Sequence, residues 1–137
     1  MSISIKQIIH KKSIYAIIVK KNNQFKKKGV NFITRKQELF QLGFISHKKK
    51  HEIKKHYHIK KDRKINYFSE VLIMKKGLLK VMFYDEKNKN IKKDALLKEG
   101  DIILLLKGGH GFEVIKDVEI IEVKQGPYQK KTDKILI

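Results

Sequence analysis

Residues 69–84 spell SEVLIMKKGLLKVMFY, two strand-sized apolar runs that meet at Gly77. In the second run, Leu79, Val81 and Phe83 recur at the two-residue period that places side chains on one face of a strand. The first run is equally rich in branched apolar residues. The pattern predicts two neighbouring β-strands joined by a glycine turn.

Further short strands are predicted on both sides of this stretch, and their connections carry turn-forming residues such as DEKNKN at 85–90. No sustained helical period follows residue 43, so helix-turn-helix, zipper and Rossmann architectures have no support in the sequence. Short, evenly spaced strands with glycine-bearing turns predict an all-β antiparallel sandwich or barrel. We expect one domain over residues 1–137, with residues 1–13 as an edge strand or an arm that crosses to a partner subunit. The other predicted strands are residues 14–19, 30–34, 91–97, 102–106, 112–115 and 118–124.

The charge balance is strongly basic, with 33 Lys and Arg against 14 acids and a net charge of +19. Such a field attracts anions, whether nucleic acids, anionic membranes or phosphorylated metabolites. The alternative origin of this charge is compositional drift, which enriches the whole chain in Lys and Ile. The chain has no Cys, which excludes thiolate ligands, iron–sulfur clusters and cysteine nucleophiles. Its apolar runs are far too short to span a membrane, so a cytoplasmic protein is expected.

Three histidines and one glutamate form a candidate metal site. His56 and His58 are two residues apart, so a strand would point both imidazoles to one side. Glu70 heads an apolar strand, where a carboxylate is costly to bury without a cationic partner. His110 lies in a glycine-rich turn that allows close approach to a ligand. Three imidazoles and a carboxylate suit a first-row transition metal, although each residue alone could equally be a hydrogen-bonded or surface side chain.

These residues carry a resemblance to the cupin superfamily, whose fold is a small antiparallel jelly-roll barrel. The segment 56–58 matches the HXH of its first motif, and Glu70 followed by VLIMKK and Gly77 reproduces E(X)6G. Gly100 followed by DIILL resembles the start of the second motif, and His110 falls near its histidine. The stretches EVLIMKKG, VMFYD, GDIILLLKGGHGFEV and IEVKQGPY resemble a group of small cupins found beside surface-polysaccharide biosynthesis genes. The likeness covers roughly residues 14–134, with the barrel motifs in 56–124.

The chain departs from the general cupin pattern in several places. Eleven residues separate His58 from Glu70 instead of three or four, and no glycine precedes HXH at the expected place. Leu106 replaces the proline of the second motif, and His110 arrives one residue early. The polysaccharide-associated group shares the long insert and the GGH turn, so these departures favour that group within the superfamily.

The resemblance implies a jelly-roll barrel with a short N-terminal arm, a homodimer, and one divalent transition metal (Zn, Fe, Mn or Ni) held by His56, His58, Glu70 and His110. It implies isomerase- or epimerase-like action on a phosphorylated or nucleotide-linked sugar, with the metal as Lewis acid. A non-catalytic, metal-dependent carbohydrate-binding or sensing module is the alternative.

Three further residues are candidates for substrate contacts. Arg63 lies in the basic segment 48–64, which contains nine Lys or Arg, and could clamp a phosphate. Glu122 and Lys124 share one face of a strand and could serve as base and anion contact, or form a structural ion pair. Charge-driven nucleic-acid binding is a third, less favoured hypothesis, because the aromatic residues follow apolar strand patterns rather than interleaving with the basic segment.

Overall fold

The computed structural model describes residues 5–22, 27–129 and 133–137. The chain divides into two compact units. Met1–Asn23 and Tyr67–Ile137 form the first, called here the sheet unit, and Gln24–Asn66 form the second, called the insert unit. The organisation of residues 1–137 as one cupin domain stays a prediction.

The described residues form eight strands and no helix, so none of them forms a helix that could cross a membrane. The expected all-β antiparallel class is confirmed. The strands are β1 (Ile5–His10), β2 (Ser13–Val19), β3 (Gly29–Phe32), β4 (Gly43–Ser46), β5 (Glu70–Tyr84), β6 (Ala95–Lys98), β7 (Ile102–Leu105) and β8 (Gly109–Lys124). In the insert unit, β3 and β4 form a short antiparallel pair.

The other six strands make one antiparallel sheet in the sheet unit, in the order β1-β2-β7-β5-β6, with β8 along the other edge of β5. β5 pairs with β7 through Glu70–Ile73 and with β6 through Leu78–Val81. β1 (Ile5–His10) lies at the edge of the described sheet and pairs with β2. The choice between an edge strand and an arm that crosses to a partner subunit stays a prediction. Residues 1–4 of the predicted arm lie outside the described residues.

β5 and β8 are each longer than the sequence pattern predicts. β5 has 15 residues and β8 has 16, so the turn predicted at Gly77 is wrong, and the predicted strands 112–115 and 118–124 are parts of one strand. Register shifts near Gly77 show irregular pairing within a continuous two-stranded ribbon. Gly77 has a φ of +88°, and a Cβ there would lie 2.0 Å from the carbonyl oxygen of Asp117. Glycine is common both in turns and in β-bulges, so the sequence alone does not distinguish a turn at Gly77 from a bulge.

The ribbon of β5 and β8 must curl, because Glu70 pairs with Leu105 on one side and Lys124 on the other. Only three residues separate Leu105 from Gly109, the first residue of β8. Both ends of β8 therefore lie near Glu70, whereas a straight strand of this length would span about 50 Å. The result is a strongly curled half-barrel. The finer assignment to a jelly roll stays a prediction.

One face of the curled sheet carries the hydrophobic core. Leu79, Val81 and Phe83 are fully buried, as their two-residue period predicts. Leu72 and Met74 extend the same buried row towards the start of β5. The remaining members of the core cluster are Tyr15, Ala16, Ile18, Ala95, Leu97, Ile103 and Leu105.

Candidate functional site

Glu70 and His110 lie side by side in the sheet unit. The Nε2 atom of His110 is 3.4 Å from Oε2 of Glu70, and the two side chains are 28% and 17% exposed. Two donor atoms bound to one ion at about 2.1 Å each lie about 3.0 to 3.4 Å apart. The separation of Nε2 and Oε2 therefore fits two ligands of a common metal ion.

The start of β5 places Glu70 at the end of the buried row that contains Leu72 and Met74. The preceding residue is fixed as well, since the backbone N–H of Ser69 donates to Oε1 of Gln125 at 2.9 Å. This bond holds the start of β5 against the chain that follows β8. The carboxylate is thus brought to the edge of the core by a rigid element, which suits a ligand-binding group.

His110 reaches Glu70 because β8 begins so soon after β7. It is the second residue of β8, and its ring centroid lies 5.3 Å from that of Phe112. Gly108, which precedes β8, has a φ of +77°, and a Cβ there would lie 2.3 Å from the ring of Tyr15. The glycine-rich turn therefore allows the chain to pass Tyr15 closely and present His110.

Lys124 completes the surroundings of Glu70. Its Nζ atom lies 3.9 Å from Oε1 of Glu70 and 3.6 Å from Oε1 of Glu122. It also lies 5.0 Å from the ring centroid of Tyr128, a cation–π arrangement. The sequence singles out Glu122 and Lys124 but gives no signal for Tyr128, because the path of the chain through Gly126 and Pro127 does not follow from a strand pattern.

The pKa of Glu70 is held below its ordinary value. The interaction with His110 is the largest cause, and the charges of His110, Lys124 and Lys134 act in the same direction. Burial alone would raise the pKa, but these interactions together outweigh it. Glu70 is therefore ionised at neutral pH and able to bind a cation.

His56 and His58 form a second pair, in the insert unit. Both are exposed, and their ring centroids lie 5.4 Å apart at an interplanar angle of 82°. The Nδ1 atom of His56 lies 2.8 Å from the carbonyl oxygen of Lys54, which can only accept a hydrogen bond. Nδ1 therefore carries the proton, and Nε2 of the neutral ring keeps its lone pair. This is the tautomer that binds a metal through Nε2.

The four predicted ligands thus occur as two pairs, one in each unit. Across residues 5–22, 27–129 and 133–137, no group of three or more acidic or histidine side chains is assembled to hold a metal ion. Ligation of one ion by His56, His58, Glu70 and His110 stays a prediction. The residues present do fit the donor chemistry of a transition metal: two exposed imidazoles in one unit, and an ionised carboxylate beside a third imidazole in the other.

The basic segment 48–64 is exposed throughout. Within the part of the chain that the structure describes, its nine cations, Arg63 among them, form no ion pair. Tyr57 lies inside the segment and is 90% exposed, so the expectation that aromatic residues do not interleave with the basic run is wrong for this residue. His51 is exposed, as expected, and its ring stacks on that of His47 at 3.8 Å.

No protein-family model, curated protein or solved structure matches this chain. Function is therefore inferred from the residues themselves, from the cupin-like motifs and from the geometry around Glu70.

Proposed function

We propose that this protein is a metal-binding cupin that acts on or binds a phosphorylated or nucleotide-linked sugar in surface-polysaccharide metabolism. The observation that carries the proposal is the Glu70–His110 pair. These residues lie 40 positions apart in the sequence. Glu70 matches the carboxylate of the first cupin motif, and His110 lies one residue before the histidine position of the second. The donor atoms of the two side chains lie 3.4 Å apart.

The ion would be a divalent transition metal (Zn, Fe, Mn or Ni), with His56, His58, Glu70 and His110 as its ligands. When bound, it would supply Lewis-acid polarisation of a substrate carbonyl. The protein contributes an ionised carboxylate at Glu70 and a fixed tautomer at His56. Lys124 adds a positive charge that offsets part of the negative charge of Glu70 and Glu122.

An anionic sugar is supported by the charge of the chain. The net charge of +19 attracts phosphates over a long range, and the nine cations of segment 48–64 are free to contact them. Arg63 is the candidate for a bidentate phosphate contact, because its planar guanidinium matches two phosphate oxygens. We propose that the protein works in the cytoplasm as a homodimer, on the basis of the cupin resemblance.

A non-catalytic carbohydrate-binding or sensing module is the second candidate function. It is favoured by the contacts of Glu122 and Lys124, the candidates for base and anion contact. Lys124 lies between the carboxylates of Glu70 and Glu122, so both Glu122 and Lys124 already contribute to one ion-pair network. A general base must be aimed at the substrate, whereas Oε1 of Glu122 lies 3.6 Å from Nζ of Lys124.

A thermal-shift screen of nucleotide sugars tests the proposal. We expect at least one nucleotide sugar to raise the melting temperature of the metal-loaded protein, and chelator or His110→Ala to abolish the shift. His51→Ala is the matched control, because it removes an exposed imidazole outside the proposed ligand set. Shifts that survive chelator and His110→Ala would contradict metal-dependent binding. Turnover of the stabilising sugar, followed by NMR, separates an enzyme from a binding module.

A further inference from the structure

A second feature of the sheet unit lies apart from Glu70 and His110. It is a partly open cavity of about 360 Å³ lined by residues of β1 and β6, by Ile18 and Lys20 at and after the end of β2, and by Leu78 of β5. Two lysine bonds join its walls: Nζ of Lys20 donates to the carbonyl oxygen of Leu96 at 2.7 Å, and Nζ of Lys93 donates to that of Ile9. The cavity is therefore held open between elements that are tied together, and it shares no lining residue with the candidate metal site.

The interior of the cavity is apolar. Ile8, Ile18, Leu78 and Ala95 line it, and Ile18 and Ala95 are buried members of the hydrophobic core. An apolar surface of this kind is stabilised when hydrocarbon replaces water against it. The cavity volume lies at the lower end of the range of about 300 to 1,000 Å³ found for small-molecule sites. The occupant that fits is a small molecule with a hydrocarbon body.

The rim is positively charged, and part of that charge is unused. Lys20 is already bound to Asp101 at 2.9 Å, and Asp94 lies 3.6 Å from Lys80. The remaining cations are Lys6 and Lys98, whose ammonium groups form no hydrogen bond or ion pair with any residue in the described ranges. Both are exposed, so an acidic head group would need to displace only water from their ammonium groups.

We propose that this cavity binds a small organic monocarboxylate with an acyl or aryl body, independently of the proposed metal site. The ammonium groups of Lys6 and Lys98 contact the carboxylate, and Ile8, Ile18 and Leu78 contact the hydrocarbon. A single negative charge suits the rim better than a phosphate dianion, because Asp94 also lines the cavity.

Titration of the ¹⁵N-labelled full-length protein with octanoate, followed by amide NMR, tests this inference. We expect saturable chemical-shift changes centred on the amides of Ile8, Ile18 and Ala95. Octanol and octylamine, which carry the same chain with a neutral or cationic head group, should bind at least tenfold more weakly. Octyl phosphate should bind no more tightly than octanoate.

Replacement of the two rim lysines provides the matched variants. Lys6→Met with Lys98→Met should weaken octanoate binding at least tenfold while the rest of the spectrum is retained. Lys87→Met, in the exposed hairpin loop, should bind as the wild type does. The inference is overturned if octanoate perturbs no cavity amide at millimolar concentration, if octanol or octyl phosphate binds more tightly, or if the double variant binds octanoate unchanged.

Discussion

Asp101 shows how a single polar residue can hold this fold together. Its side chain is fully buried, and its carboxylate accepts hydrogen bonds from Nζ of Lys20 (2.9 Å) and from the backbone N–H groups of Lys21 (2.9 Å) and Lys98 (3.0 Å). Its own carbonyl oxygen accepts from the N–H of Met74 at 2.9 Å. One residue therefore connects the end of β2 to the turn between β6 and β7 and to β5.

Replacing Asp101 with Asn should destabilise the protein strongly. The amide removes the negative charge that Lys20 faces and brings an N–H₂ group towards existing donors. We expect a loss of about 3 kcal/mol in the free energy of unfolding, measured by urea denaturation. Asp94→Asn is the control, because it breaks an exposed pair at 3.6 Å and should cost less than about 1 kcal/mol. Equal losses in the two variants would contradict the role of Asp101.

The contribution of Asp101 should depend on pH. Burial alone would raise its pKa, but the bonds from Lys20, Lys98 and Lys21 outweigh burial and lower it. A carboxyl whose pKa is lower in the folded state stabilises fully above its unfolded value of about 3.9, and this contribution is lost as the pH falls. The difference in unfolding free energy between wild type and Asp101→Asn should therefore shrink from pH 7 to pH 3. A difference that grows on acidification would show that folding does not lower the pKa of Asp101.

Among the strands, the irregular pairing of β5 with β8 determines the curl. Gly77 has a positive φ and lies against the backbone of Asp117, so an alanine there meets backbone atoms that cannot move without breaking the pairing. We expect Gly77→Ala to cost at least about 2 kcal/mol of unfolding free energy in urea denaturation. Gly100→Ala is the matched control: its φ is +85°, but its Cβ would meet side-chain atoms of Lys21 rather than backbone atoms of a paired strand. It should therefore cost less, and the reverse order would contradict this account of the bulge.

Two neighbouring leucines of β6 point to opposite faces of the sheet, and their replacement shows which face packs against the core. Leu96 and Leu97 are neighbours of identical chemistry, but Leu97 is fully buried and Leu96 is 53% exposed. We expect Leu97→Ala to cost about 2 to 5 kcal/mol, because it leaves a cavity in the core, and Leu96→Ala to cost less than about 1 kcal/mol. Urea denaturation of the two variants measures the difference. Similar losses would show that the face of β6 is assigned wrongly.

Strand patterns in the sequence predict part of this structure. The alternation of Leu79, Val81 and Phe83 correctly predicts which side chains are buried. Side chains two residues apart lie on the same face of a strand, so only one face of this strand can be apolar. The curl is not predictable in this way, since Gly77 marks a bulge as readily as a turn. For the candidate site, the motif spacing selects Glu70 and His110, which the fold brings together. The conformation of segment 48–64 does not follow from its sequence, because a run of lysines has no apolar periodicity.

For the whole molecule, the charge of +19 predicts salt-sensitive binding to any polyanion. We expect random duplex DNA to be retarded at 50 mM salt and released at about 200 mM, since contacts to 6–10 phosphates lose roughly 10³ to 10⁵ in affinity over this range. A variant with Lys48, Lys49 and Lys50 replaced by Gln should show a smaller salt slope. Retardation that persists at high salt would instead favour nucleic acid as the biological partner.

The central claim is that His56, His58, Glu70 and His110 hold one divalent transition metal ion. Elemental analysis of the untagged protein, after loading with metal and removal of excess ions, tests this claim most directly. We predict about one ion per chain in the wild type and in the control His51→Ala, and a strong loss in both His56→Ala and His110→Ala. The same sub-stoichiometric metal content in all four proteins would contradict the claim.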